Sequence, residues 1–174
     1  MLNNCNTGLF WPLILAFVSC ASTKGGGPVP VEVQDHRAID DRLGRIQMTD
    51  LEGRRVSLSD FARQPVFLNF WATWCQPCIQ EMSSIETLYQ RYGEEIVFLA
   101  ASHEDLEVIR SFQERHGVRF PLVRLDVDYI DAFIISLPTT LLIDREGHLV
   151  HEEEGIRLWN SENYERKVKE LLQE

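Results

Sequence analysis

The chain is 174 residues long, which leaves room for one ordinary domain with a sizeable core and a short extra segment at one end. An apolar fraction of 44% and a charged fraction of 25% are those of a globular protein, and a formal net charge of −10 argues against nucleic acid or an anionic lipid surface as the main partner. Four cysteines fall in two unlike settings, Cys5 and Cys20 flanking an apolar N-terminal run and Cys75 and Cys78 inside the globular part, so at most one intramolecular bridge is expected, between Cys75 and Cys78.

Leu9 to Val18 (LFWPLILAFV) is apolar over the length of a signal-peptide core and short of the ~20 residues a membrane-spanning helix needs. Ser19-Cys20-Ala21-Ser22 follows, and this resembles the lipobox of bacterial lipoproteins. The resemblance implies a signal peptide over residues 1–19, cleavage before Cys20, lipid on the Cys20 thiol and amine, and a domain tethered on the periplasmic side of a bacterial membrane. Two features depart from that pattern: no Lys or Arg precedes the run, and Phe17 stands where a Leu is common. An uncleaved hydrophobic tail is the alternative. Residues 20–41, with Lys24-Gly25-Gly26-Gly27-Pro28-Val29-Pro30, read as a flexible linker that holds a domain over residues 42–174 off the lipid.

Gly44 to Met48 and Arg54 to Leu58 are short strand candidates around the turn-rich Asp50-Leu51-Glu52-Gly53, a hairpin or a pair of extended arms. A short turn over Ser59 to Phe61 precedes Val66 to Phe70, a continuous apolar strand with one amide, Asn69. A strand this apolar belongs at the centre of a sheet, covered on both faces. Ile79, Met82, Ile85, Leu88, Tyr89 and Tyr92 recur at helical spacing before Gly93, a helix stop. Ile96 to Ala101 is the next buried strand, and Leu106, Ile109, Phe112 and His116 mark a second helix ending at Gly117. Phe120 to Leu125 is a further strand, Asp128 to Ile135 a short helix or turn. Thr139 to Asp144 and His148 to Glu153 form a hairpin around Arg145-Glu146-Gly147. Asn160 or Ser161 can cap a last helix with apolar positions Tyr164, Val168, Leu171 and Leu172. The expectation is an α/β domain with a mixed sheet flanked by helices, parallel first and antiparallel last.

Two cysteines at i and i+3 in the first turn of a helix stand with Cα atoms ~5 Å apart, within reach of a disulfide. Cys75, at the helix mouth, sees unpaired N–H groups and the positive end of the dipole, which favour its thiolate and mark it as the nucleophile. Pro77 fits the first turn, where its missing N–H costs little. Cys78, deeper in the helix, is the resolving thiol, and the pair can reduce or oxidise a partner. Half a zinc knuckle is the competing reading of C-x-x-C, but no second C-x-x-C exists and His36, His103, His116, His148 and His151 are scattered. A peroxide-reducing cysteine fits poorly, because Ala72 stands where a peroxiredoxin motif would place threonine.

Phe70-Trp71-Ala72-Thr73-Trp74-Cys75-Gln76-Pro77-Cys78, with Leu137-Pro138-Thr139-Thr140-Leu141-Leu142-Ile143-Asp144 downstream, resembles the thioredoxin superfamily, and within it the membrane-tethered TlpA/ResA/CcmG-like thiol-disulfide oxidoreductases. The resemblance covers about Arg42 to Glu174 and implies a thioredoxin-like fold with an N-terminal strand extension and a central insertion over His103 to Leu125. It also implies a cis Leu137-Pro138 bond beside the dithiol. Leu137 would offer its backbone to an extended substrate strand. Trp74, Gln76 and Pro77 would line the same substrate surface, with Trp71 in the core. Asn69 stands where many thioredoxins bury an aspartate, and an amide cannot shuttle a proton. Glu81, on the face of Cys78, resembles a glutamate of this group and is the candidate acid/base; a solvated helix carboxylate is the alternative. Ser83 and Ser136 replace a common proline and glycine, which leaves the helix bend and groove width open.

The function expected is thiol-disulfide exchange, reducing disulfides of exported proteins such as apocytochrome c. The implied partners are protein thiols and a membrane electron donor of thiol-reductase type, with a lipid anchor, no nucleic acid and a monomeric chain. No metal or cofactor is expected beyond the redox-active Cys75-Cys78 pair. The rival is a tethered binding module that holds copper between the two sulfurs for delivery.

Overall fold

The computed structural model describes residues 42–173. Among these, the strands are β1 (Gln47–Asp50), β2 (Arg55–Ser57), β3 (Val66–Phe70), β4 (Val97–Ser102), β5 (Leu122–Leu125), β6 (Thr139–Ile143) and β7 (Leu149–Glu154). The helices are α1 (Gln76–Tyr92), α2 (Leu106–His116) and α3 (Glu162–Glu170). The strands form one mixed sheet in the order β2-β1-β5-β4-β3-β6-β7. The signal-peptide and linker expectations, with Cys5 and Cys20, lie outside the described residues.

The N-terminal strand candidates close as a hairpin. The Asp50 carboxylate accepts the N–H groups of Glu52 (3.0 Å) and Arg54 (2.8 Å), and Gly53 takes the positive φ of 84° that closes the turn. β1 then pairs antiparallel with β5, so the inserted segment contributes β5 to the sheet and through it carries the hairpin on the sheet's flank. β3 lies between parallel β4 and antiparallel β6, and all five of its residues are buried. β5 is parallel to β4, and β7 antiparallel to β6. The parallel-then-antiparallel order therefore holds from β3 onward, while the hairpin adds an antiparallel pair that periodicity does not reveal.

Alternation along β3 divides its side chains between two cores. Phe67 and the following Trp71 face α1, α2 and α3, packing with Ile85, Leu88, Phe112, Trp159 and Val168. Val66, Leu68 and Phe70 face the other way, covered by Leu43, Ile46, Ala132 and Ile134. Phe67 stacks on Phe98 and takes the edge of Trp159, both at 4.9 Å between centroids. Aromatic pairs like these add about 0.5–1.5 kcal/mol beyond their area burial.

α1 ends at Gly93, where a Cβ would sit 2.6 Å from the Tyr89 carbonyl oxygen, so the position favours glycine. α2 ends conventionally on Gly117 at φ 65°. The Asp128–Ile135 segment forms turns rather than a helix, and Ser161 takes the N-cap position of α3 without a side-chain cap bond.

Candidate functional site

β3 and α1 meet at the dithiol. Trp71 extends the parallel pairing by one bond, its N–H donating to the Ala101 carbonyl at 3.1 Å, and Cys75 N–H turns the chain by donating to Ala72. Cys75 is the N-cap of α1, with Gln76 and Pro77 opening the helix. Its sulfur accepts the Cys78 N–H at 3.3 Å, the helix-mouth donor that favours negative charge on this sulfur. The two cysteines are joined in a disulfide with Cα atoms 5.3 Å apart. Cys75 keeps 5% of its surface exposed and Cys78 none, which matches an attacking and a resolving thiol.

The loop that carries Cys75 is pinned from behind. The Glu104 carboxylate accepts the Thr73 N–H (2.7 Å), the Thr73 hydroxyl (2.6 Å) and the Ser102 hydroxyl (2.9 Å). Tyr129 donates its hydroxyl to the Trp71 carbonyl at 2.6 Å and accepts the His103 N–H at 3.0 Å. These groups were not singled out by motif. The signal was positional: β3 and β4 pair in parallel, so the residues just past Ala101 fall beside those just past Phe70.

Leu137-Pro138 is a cis peptide bond, as the resemblance implies, and forms the facing wall. Between the walls runs an open groove of about 720 Å³, lined by Trp74, Cys75, Gln76, Pro77 and Leu137 and continued by Tyr129, Ile130, Ile134 and Ile135. All of the expected substrate-contact residues except Pro138 itself line it. Trp74 stands 69% exposed at its rim, Ile130 77% and Ile135 82%, whereas Trp71 is buried in the core. The sequence marks Asp128 to Ile135 only as a short helix or turn, and nothing in its pattern places these isoleucines on a groove.

Glu81 is 2% exposed, so it is not a solvated helix carboxylate. One oxygen accepts the Asn69 amide N–H at 2.8 Å and the other the Arg157 backbone N–H at 3.0 Å. Asn69 also donates to the Thr140 hydroxyl at 2.9 Å. Burial pushes Glu81 up to about 7, against the pull of the Arg157 N–H, the Asn69 amide and the Arg157 charge. A carboxyl poised there can hold or release a proton under ordinary conditions. Among the described residues no group of three or more His, Cys, Asp or Glu gathers as a metal site. A soft metal would find two sulfurs only after the disulfide opened.

Residues 39–152 match the AhpC/TSA family. Over 114 residues the chain is 41% identical to the thiol-disulfide oxidoreductase ResA of Bacillus thuringiensis subsp. konkukian strain 97-27, covering 62% of this chain and 65% of that protein. The aligned stretch thus spans just under two thirds of that relative's length. Among solved structures, a candidate thiol:disulfide interchange protein DsbE from Chlorobium tepidum superposes with a TM-score of 0.65 at 24% identity, covering 72% of this chain and 92% of that one. A candidate thiol-disulfide oxidoreductase from Bacteroides vulgatus gives 0.64 at 28%, covering 72% and 91%. The fold is thioredoxin-like.

Proposed function

The chain belongs to the AhpC/TSA family of thioredoxin-like proteins, and we propose that it is a thiol-disulfide oxidoreductase that exchanges electrons with the disulfides of exported proteins through Cys75 and Cys78. One observation carries this reading. A disulfide at a strand-to-helix corner opens onto an apolar groove whose other wall is the Leu137-Pro138 backbone.

In the reducing direction, the Cys75 thiolate attacks one sulfur of a substrate disulfide. A mixed disulfide forms and the other substrate sulfur leaves as a thiolate. Glu81, in its carboxylate form, takes the Cys78 proton. The Cys78 thiolate then attacks the Cys75 sulfur, expelling the second substrate thiolate and leaving the Cys75–Cys78 disulfide. Two electrons have passed to the substrate, and a membrane electron donor of thiol-reductase type must return two to the protein before the next cycle. The apolar groove suits an extended, incompletely folded partner that adds its backbone to Leu137. An apocytochrome c with its cysteine pair oxidised is such a partner.

The reading extends to place: Cys20, in Ser19-Cys20-Ala21-Ser22 behind an apolar run, carries lipid and anchors the domain at the periplasmic face of a bacterial membrane. Metabolic labelling with a radiolabelled fatty acid should mark the wild-type chain and not Cys20→Ser.

The trapping experiment tests the function. Cys78→Ala, expressed in the native cell, should accumulate mixed disulfides on Cys75 that mass spectrometry identifies, while Cys75→Ala should accumulate none. Recovery of no protein partner from Cys78→Ala would count against the proposal.

A further inference from the structure

Behind the dithiol, residues 155–159 cross the site as a strap, and every second backbone N–H donates into it. Gly155 donates to the Pro138 carbonyl (2.7 Å), Arg157 to Glu81 (3.0 Å) and Trp159 to the Ser84 hydroxyl (3.1 Å). Glu81 and Ser84 lie one turn apart on α1, so the helix holds the strap at two points, and the third point is the proline wall. The strap is also gripped from outside. Arg157 donates from Nε to Glu153 at 2.8 Å and from a terminal nitrogen to the Ile156 carbonyl at 2.9 Å. Lys167 holds the other Glu153 oxygen at 2.8 Å, and His151 stands 2.6 Å from that same oxygen. Burial alone would raise the Glu153 carboxyl, but hydrogen bonds from Lys167, His151 and Arg157 hold it at about 2, so it remains a fixed anion.

From this geometry we infer that Arg157, anchored by Glu153, is a positioning residue for Glu81: its guanidinium, held by Glu153, keeps the strap in place so that the Arg157 backbone N–H stays on the buried carboxyl and sets its acidity. The inference rests on the proton-handling role of Glu81 given above. Neither Arg157 nor Glu153 need touch the substrate. An N–H held on a carboxylate favours the ionised form, so loosening it must move the Glu81 titration upward in pH. The other groups that bear on the Glu81 carboxyl are neutral: Asn69 from β3, and Trp159, whose indole N–H leans on the carboxylate without a hydrogen bond; the Ser84 hydroxyl donates to the Glu81 backbone carbonyl instead. Thr140 from β6 reaches it only through Asn69, and Cys78 is tied in the disulfide. Tyr164 from α3 and Glu153 from β7 contact Arg157, and Lys167 and His151 contact Glu153 in turn; none of these four is bonded to Glu81.

The test is direct titration of the Glu81 side-chain carboxyl carbon by NMR in the oxidised, full-length, carbon-13-labelled chain. Arg157→Met keeps the aliphatic stem and removes the guanidinium that Glu153 holds; by loosening the strap it should lower the acid dissociation constant of Glu81 about threefold to tenfold. Arg157→Lys should recover at least half of that change on the logarithmic scale. A folded Arg157→Met chain with an unmoved midpoint overturns the inference. Should Arg157→Met not fold, Glu153→Gln decides: loosening the anchor should speed hydrogen exchange of the Arg157 N–H about tenfold, and unchanged exchange overturns it. If the midpoint moves and the pH profile of disulfide exchange does not follow, Arg157 positions Glu81 as inferred and the proton-handling role of Glu81 fails instead.

Discussion

Glu81 is where burial and chemistry pull against each other. Its folded-state value of about 7 lies above the ordinary 4.5, so the native chain binds more protons than the unfolded chain between those values. Stability must therefore fall as pH rises through that window, by about 3 kcal/mol for a single group so displaced. Glu81→Gln should remove this fall, so that urea unfolding at pH 5 and pH 8 differs less in the variant than in the wild type. With Glu81 as the proposed acceptor of the Cys78 proton, the exchange rate should rise through about pH 7, and the same substitution should flatten that profile. An unchanged pH dependence of the exchange step would remove Glu81 from the reaction. Spacing alone marks Cys75 and Cys78 as a dithiol, whereas Pro138 and Glu81 become candidates only through the resemblance to the thioredoxin superfamily. What it could not supply was the setting of Glu81. That depends on Arg157, 76 residues further on in a segment without periodicity.

At the scale of the element, the strand-loop-helix unit from Val66 to Tyr92 is legible because its apolar runs switch period at the cysteines. The bonds that hold the loop still are not, since they come from the end of β4 and from the 128–135 turns. Glu104 satisfies the Thr73 N–H and two hydroxyls at once. Glu104→Ala should leave those donors unpaired and cost about 1–3 kcal/mol by chemical denaturation. Tyr129→Phe, which loses the bond to the Trp71 carbonyl, should cost about 1 kcal/mol. In both, alkylation of reduced Cys75 should change more than that of a thiol placed elsewhere on the surface. Strand ends were the least legible feature: Phe120 and Pro121 precede β5, because pairing with β4 begins only at Leu122.

At the scale of the whole molecule, the two cores among the described residues run from Leu43 to Leu171. Trp159 is fully buried against Phe67 and links α3 to the sheet; Trp159→Ala should cost about 3–5 kcal/mol by chemical denaturation. The α/β class follows from the alternation of runs, but the seat of the N-terminal hairpin does not, because its partner β5 lies far along the chain. Among the described residues that sheet ends at β2 and β7, and an edge strand with free backbone groups invites any extended chain to join it. β2 is three residues long, and β7 holds Glu152 in a pair with Arg42 and Glu153 in pairs with Arg157 and Lys167. A second chain laid along β7 would have to accommodate these fixed ion pairs, which opposes fibre-like growth. The two margins are therefore poor templates for aggregation, although the apolar groove beside the dithiol stands open.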